Sequence, residues 1–134
     1  MSLDYTFISP ISGRVPVDAA IANAETVLQI IGSTVNSYRV IAAQITIIAA
    51  ATSDRTHTLK VQASNTSGSF SSPISLGSIS IATTDAAGTV KTLAVDVSDG
   101  QLAPGQLVRL VHSANGTDAT LAYSYELIAT ARYC

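Results

Sequence analysis

Two histidines, His57 and His112, are the side chains best suited to proton chemistry near neutral pH, and they stand far apart in the chain. Neither has a second ligand at metal-binding spacing, and Cys134 is remote from both. A zinc site needs three or four converging N, S or O ligands, so no metal is expected. Ser, His and Asp all occur, but no G-x-S-x-G elbow presents a nucleophile. A glycosidase needs paired carboxylates. Glu25 and Glu126 are far apart, and nothing singles out a pair among the seven aspartates. Asp96 and Asp99 flank a turn at Gly100, without the ligand spacing of an EF-hand. No phosphate-cradling G-x-x-x-x-G-K-[ST] or G-x-G-x-x-G is present. The expectation is a chain with no catalytic residues and no cofactor, not an enzyme. Each histidine is expected at a strand end, exposed or hydrogen-bonded, without a catalytic partner.

Binding surfaces are equally sparse. Charged residues make up 12% of the chain and the net charge is −2. The seven basic residues, Arg14, Arg39, Arg55, Lys60, Lys91, Arg109 and Arg132, form no linear patch for phosphates, so nucleic acid is not an expected partner. Ser and Thr fill 32 of 134 positions. Such a surface can meet another protein without desolvating many charges. There is no Trp, and the only phenylalanines are Phe7 and Phe70. Tyr123 and Tyr125 share one strand face, a parity that Tyr133 extends; this reads as core packing rather than a sugar platform.

The elements that must position these residues are short strands. Leu59, Val61 and Ala63 alternate with Lys60, Gln62 and Ser64, the period of a half-buried strand. Strands are expected at Thr26–Ile31, Val35–Ala51, Thr58–Ser64, Ile74–Ala82, Thr89–Val97, Gln106–His112 and Leu121–Tyr133. Gly68, Asp85–Gly88, Asp99-Gly100, Pro104-Gly105 and Asn115-Gly116 punctuate them. Asn115-Gly116 is the strongest hairpin signal, because both residues tolerate positive φ. Seven or eight such strands predict an all-β fold, a single jelly-roll-like antiparallel β-sandwich over residues 25–134. With 134 residues and 47% hydrophobic content, one domain can sustain a core without disulfides or metal.

Residues 1–24 read differently. Pro10, Gly13 and Pro16 interrupt the apolar Tyr5, Phe7, Ile8, Ile11 and Val15. Prolines resist regular ladders, so this segment reads as an extended N-terminal arm whose apolar residues anchor to a partner. The alternative is a first edge strand packed on its own domain. Ala19–Ala24 has the makings of one helical turn. No basic and apolar leader is seen at the start. The apolar run Val40–Ala51 is too short to span a bilayer, so no membrane is expected as a partner. Cys134 is expected to be inert in a reducing cytoplasm.

The segment Leu59–Ser78, LKVQASNTSGSFSSPISLGS, resembles a turn pattern common in small bacteriophage structural proteins. The matching residues are Gln62, Ser64, Gly68, Ser69 and Phe70, then Leu76-Gly77-Ser78. Thr66-Ser67-Gly68 stands where that style has Asp-Gly before the Ser. Gln106–His112 and Leu121–Tyr133 are similar in style. The resemblance is to tailed-phage head decoration (cement) proteins, with tail and fibre components beside them. It implies a homotrimer bound to the major capsid protein on the capsid surface of a virion, made in the host cytoplasm. The alternative it leaves open is a tail or fibre module that recognises a host glycan.

Overall fold

The computed structural model describes residues 9–15, 25–32, 37–51, 57–96, 98–114 and 121–132. Within them run nine strands: β1 (Ser9–Val15), β2 (Glu25–Gly32), β3 (Ser37–Ala49), β4 (His57–Ala63), β5 (Ile74–Ile81), β6 (Val90–Ala94), β7 (Gln101–Leu102), β8 (Leu107–Ala114) and β9 (Ala122–Arg132). One sheet has the order β1-β9-β3-β6, with β7 also paired to β3; the other has the order β2-β8-β4-β5. Every ladder is antiparallel. Leaving out the two-residue β7, the eight longer strands run first–last–third–sixth in one sheet and second–seventh–fourth–fifth in the other. That interleaving is the strand order of a jelly roll, as the turn spacing predicts.

Period-2 alternation builds the core. In β4 the residues His57, Leu59, Val61 and Ala63 are buried, and those between them are half-exposed. In β8 the inward set is Val108, Leu110, His112 and Ala114. β9 sends Tyr123, Tyr125, Leu127 and Ala129 inward, and β3 contributes Val40, Ala43, Ile45 and Ile47. These faces close on one another as a single apolar cluster. Each fully buried Leu, Ile or Val contributes on the order of 1.5–3 kcal/mol relative to exposure.

Three elements differ from the sequence expectation. Ser9–Val15, read as part of the arm, is an edge strand that pairs with β9 from Ser9↔Ala129 to Val15↔Tyr123. Pro10 and Gly13 are tolerated there because an end strand can lose a ladder donor. The rest of the arm, including Tyr5, Phe7, Ile8 and Ala19–Ala24, lies outside the described residues. Asn115-Gly116 also lies outside them, but its flanking strands do not form a hairpin: β8 and β9 belong to different sheets. Finally, Gln101–Leu102 adds the short β7 against Tyr38 and Arg39.

The turn into β8 shows how local chemistry sets an element's start. Ala103-Pro104-Gly105-Gln106 closes with the Gln106 amide donating to the Ala103 carbonyl at 3.1 Å. Pro104 presets φ at the second position, and Gly105 takes φ +91° at the third, the pattern of a type II turn. A Cβ on Gly105 would stand 2.6 Å from the Thr66 carbonyl oxygen. Gly105→Ala is therefore expected to cost about 1–3 kcal/mol, from the left-handed φ and the backbone clash together. Urea unfolding of the purified variant checks this; an unchanged midpoint would refute it.

Candidate functional site

His57 begins β4 and His112 lies near the end of β8. The two strands are neighbours, with Leu59 opposite His112 and His57 opposite Ala114. Both histidines share the inward parity of Leu59 and Leu110, so the ladder sets them diagonally on one core face. His57 Nδ1 and His112 Nε2 are 2.9 Å apart. On its other side His112 Nδ1 lies 2.6 Å from the Tyr123 hydroxyl. Tyr123 belongs to β9 in the opposite sheet, where it pairs with Ile47. The chain His57–His112–Tyr123 thus crosses the core from sheet to sheet. The rings are close throughout, with centroids 5.1 Å apart for the histidines and 5.6 Å for His112 and Tyr123.

All three side chains are sealed: relative exposure is 1% for His57 and 0% for His112 and Tyr123. Burial pushes the His112 imidazole down to about 4, and the neighbouring His57 adds to that push. Burial likewise raises the Tyr123 hydroxyl far above the ordinary tyrosine range. The resting network is therefore neutral at His112 and Tyr123. Its hydrogen bonds run in one direction: either the tyrosine donates to His112 and His112 donates to His57, or the whole chain is reversed.

The sequence expects each histidine at a strand end, exposed or hydrogen-bonded and without a catalytic partner; the structure buries both and sets them within hydrogen-bond distance of one another, with the Tyr123 hydroxyl on the far side of His112. What the arrangement can do chemically is limited by access. No substrate reaches either imidazole without opening the sandwich. Among the described residues no group of three or more His, Cys, Asp or Glu side chains gathers to hold a metal. The 2.9 Å spacing is itself closer than two nitrogens sit on one tetrahedral zinc, about 3.3 Å for bonds of about 2.0 Å.

The opposite end of the sandwich is also bridged by a tyrosine. The Tyr38 hydroxyl, on β3, donates to the Gln106 carbonyl at 2.8 Å. Gln106 Nε2 donates to the Ser64 carbonyl at 3.0 Å, and the Leu107 amide donates to Ser64 Oγ at 2.7 Å. Ser64 leads into the loop that the phage-like pattern marks. There Asn65 Oδ1 accepts from the Ser67 amide, the Ser67 hydroxyl and the Ser69 amide, and Gly68 takes φ +82°. Phe70 lies under the Arg109 guanidinium, 4.5 Å from ring centroid to Cζ. Gln62 Oε1 accepts from Arg109 Nε at 2.8 Å. The pattern residues Gln62, Ser64, Gly68 and Phe70 thus build and brace this loop.

Elsewhere, Asp96 Oδ1 caps its turn by accepting from the Ser98 amide and hydroxyl; these bonds hold its carboxyl below the usual range. A shallow recess of about 240 Å³ lies among Ser37, Tyr38, Arg39, Gln101, Leu102 and Ala103. The Tyr38 hydroxyl there already serves the Gln106 carbonyl and is pushed up to about 12 by burial. Of the expected partner-binding residues, Ile11 and Val15 lie in β1, while Tyr5, Phe7 and Ile8 are outside the described residues.

No family model and no curated protein matches the sequence. The fold recurs among solved structures at low identity. The chain is similar to PirA, with a TM-score of 0.51 and 11% identity over 88% of this chain and 92% of that one. Viral capsid proteins are also among the similar structures. That of Helicobacter pylori bacteriophage KHP30 has a TM-score of 0.45 at 9% identity, over 97% of this chain and 93% of that one. VP2 of infectious bursal disease virus has a TM-score of 0.49 at 9% identity, over 98% of this chain and 32% of that one. At these identities the likeness is one of fold alone.

Removing either bridging hydroxyl separates their roles. Tyr123→Phe strands the His112 nitrogen in the core and is expected to cost about 1–3 kcal/mol. Tyr38→Phe strands a carbonyl nearer solvent, for about 0.5–1.5 kcal/mol. Chemical denaturation of both variants at pH 7.5 tests the order, and a neutral Tyr123→Phe would show that the cross-sheet bond contributes nothing.

Proposed function

We propose that this chain is a non-enzymatic structural protein of a bacteriophage virion. It binds the outer capsid surface as a decoration or cement protein and stabilises the head. The observation that carries this reading is the closure of both histidines and Tyr123 inside the core of a jelly roll, in a chain poor in charged residues. A surface poor in charge suits attachment to other protein surfaces. The resemblance of the Leu59–Ser78 loop to phage structural proteins supports the same direction.

In this reading the protein acts as a homotrimer on the major capsid protein. Several modest contacts held in one assembly gain avidity through effective concentration. Tyr5, Phe7 and Ile8 are the proposed anchors, continuing into β1 with Ile11 and Val15. Each apolar anchor contributes on the order of 1–3 kcal/mol when buried. Exposed Val27 and Ile30 on β2, Ile74 on β5 and Val90 on β6 offer further apolar contact on end strands of the two sheets.

Light scattering at micromolar concentration is expected to give a trimer, and the protein is expected to sediment with purified phage heads. Deleting residues 1–8 spares β1 and its ladder to β9. It is expected to leave the melting temperature within a few degrees and to weaken head binding at least about tenfold, the loss of one 1.4 kcal/mol anchor. A monomer that stays in the supernatant would overturn the proposal. Full binding by the truncated chain would remove the anchors from it. Saturable retention on host glycans, without head binding, would favour the tail or fibre alternative.

A further inference from the structure

Arg109 stands on β8 with the parity opposite to the buried Val108 and Leu110, on the outer face of the β2-β8-β4-β5 sheet. Two neighbours fix its guanidinium. Nε donates to Gln62 Oε1 at 2.8 Å, and Gln62 is the β4 residue directly opposite in the ladder. Cζ lies 4.5 Å from the centre of the Phe70 ring. Phe70 is held in turn by a loop closed on itself. The Asn65 amide donates to the Ser69 carbonyl at 3.0 Å, the Ser69 amide donates to Asn65 Oδ1 at 2.9 Å, and the Ser71 amide donates to Ser69 Oγ at 3.2 Å. One edge and one face of the guanidinium are thereby used. The edge formed by its two Nη groups remains, and among the described residues it meets no acceptor.

The group that matches this remaining fork is a carboxylate, which accepts two parallel N–H bonds. The surrounding elements offer none. No Asp or Glu occurs from His57 to Ile81, a stretch that includes β4, the Phe70 loop and β5, or from Gly100 to Ala114, a stretch that includes β8. The acid of β2 is Glu25, which pairs with Ser113. Ser113 is four residues along β8 from Arg109, about 13 Å at about 3.3 Å per residue.

The positions beside the fork are apolar. Ile30, opposite Arg109 on β2, is 52% exposed. Val111, next on the same face of β8, is buried although it lies outside the core cluster. Val27, opposite Val111, is exposed.

We infer that Arg109, oriented by Gln62 and Phe70 and flanked by Ile30, is a docking point for a carboxylate: the side chain of a Glu or Asp on the protein surface to which this chain attaches. The inference rests on the attachment role proposed above. Gln62 and Phe70 orient the guanidinium before the partner arrives, so less rotamer freedom is lost on binding. The exposed Ile30 and Val27 favour a carboxylate borne on a protein over a free inorganic anion, which has no apolar part to cover them. In a chain with few charges, one such pair also fixes the orientation of the docked body.

The test is an NMR titration of the intact, isotope-labelled protein at constant ionic strength. The probe is N-acetyl-glutamate N-methylamide; the neutral glutamine analogue and inorganic phosphate are run in parallel. The glutamate probe is expected to shift the Arg109 Nε–H resonance saturably, together with the amides of Phe70 and Ile30. The glutamine analogue is expected to leave them in place, and phosphate to bind more weakly. Gln62→Glu supplies a carboxylate to the guanidinium from within. It is expected to weaken probe binding about threefold or more, with the melting temperature unchanged or raised. Arg109→Lys keeps the charge without the fork and is expected to lose about as much. Both variants are expected to bind purified phage heads about tenfold more weakly than the wild type in cosedimentation.

No saturable shift with the glutamate probe would overturn the docking point. So would an equal shift with the glutamine analogue, tighter binding of phosphate, or undiminished probe binding by Gln62→Glu; the three side chains would then be a brace for the loop alone. Heads bound as tightly by Gln62→Glu as by the wild type would overturn it as well. Probe binding by a wild-type protein that does not sediment with heads would uphold the carboxylate site and overturn the capsid as its partner.

Discussion

A hydroxyl from one sheet and an imidazole from the other meet 2.6 Å apart in the core, and that meeting constrains how the sheets can be registered. Apolar faces alone are permissive: many slips of Val, Leu and Ile against one another bury similar area. A polar chain is not permissive. Slipping β8 by one residue against β4 turns every inward side chain outward. His112 would then leave the core, His57 would lose its partner, and the Tyr123 hydroxyl would be buried without a bond. An orphaned buried polar group costs on the order of 1–3 kcal/mol. The network thus penalises wrong registers more than it rewards the right one.

The same logic governs the sides of the sandwich. β5 and β6 end their respective sheets, and Lys91 on β6 reaches across to the Ser80 carbonyl on β5 at 2.8 Å. Lys91 also pairs with Asp85 at 2.6 Å, which in turn accepts from the Ala82 amide at 2.7 Å. A lysine at an end strand opposes edge-to-edge pairing, and here it also ties one sheet to the other. The exposed ion pair itself adds little; its geometry fixes the β5–β6 connection as it leaves one sheet for the other.

Period-2 alternation was readable wherever a strand is buried on one face. Leu59, Val61 and Ala63, or Tyr123 and Tyr125, declare their parity without any partner being known. Pro104-Gly105 declared its turn because φ preferences are local. Asn115-Gly116 shows the limit. Its residues favour a hairpin, but whether two successive strands pair is decided by which sheet each joins, a property of the whole chain. The histidine pair was hidden for the same reason. His57 and His112 carry the inward parity of their strands, and extending β4 back by one residue would have shown both as core positions. Their contact needs the β4–β8 ladder, which joins residues 55 apart in sequence. The edge strand β1 was obscured by Pro10 and Gly13, which weaken strand signals yet are compatible with an end position.

A jelly roll that spends its histidines on internal closure has a surface free to be plain. Attachment through Ser, Thr, Ala and scattered apolar residues avoids the desolvation that charged contacts incur. It also gives each contact little strength, so the proposed attachment role depends on presenting several contacts at once from a framework that does not shift. The cross-sheet bonds supply that framework at both ends, through Tyr38 at one and Tyr123 at the other. The rigidity of the core and the weakness of the surface are then two sides of one arrangement, since weak contacts add only when the body that carries them holds its shape.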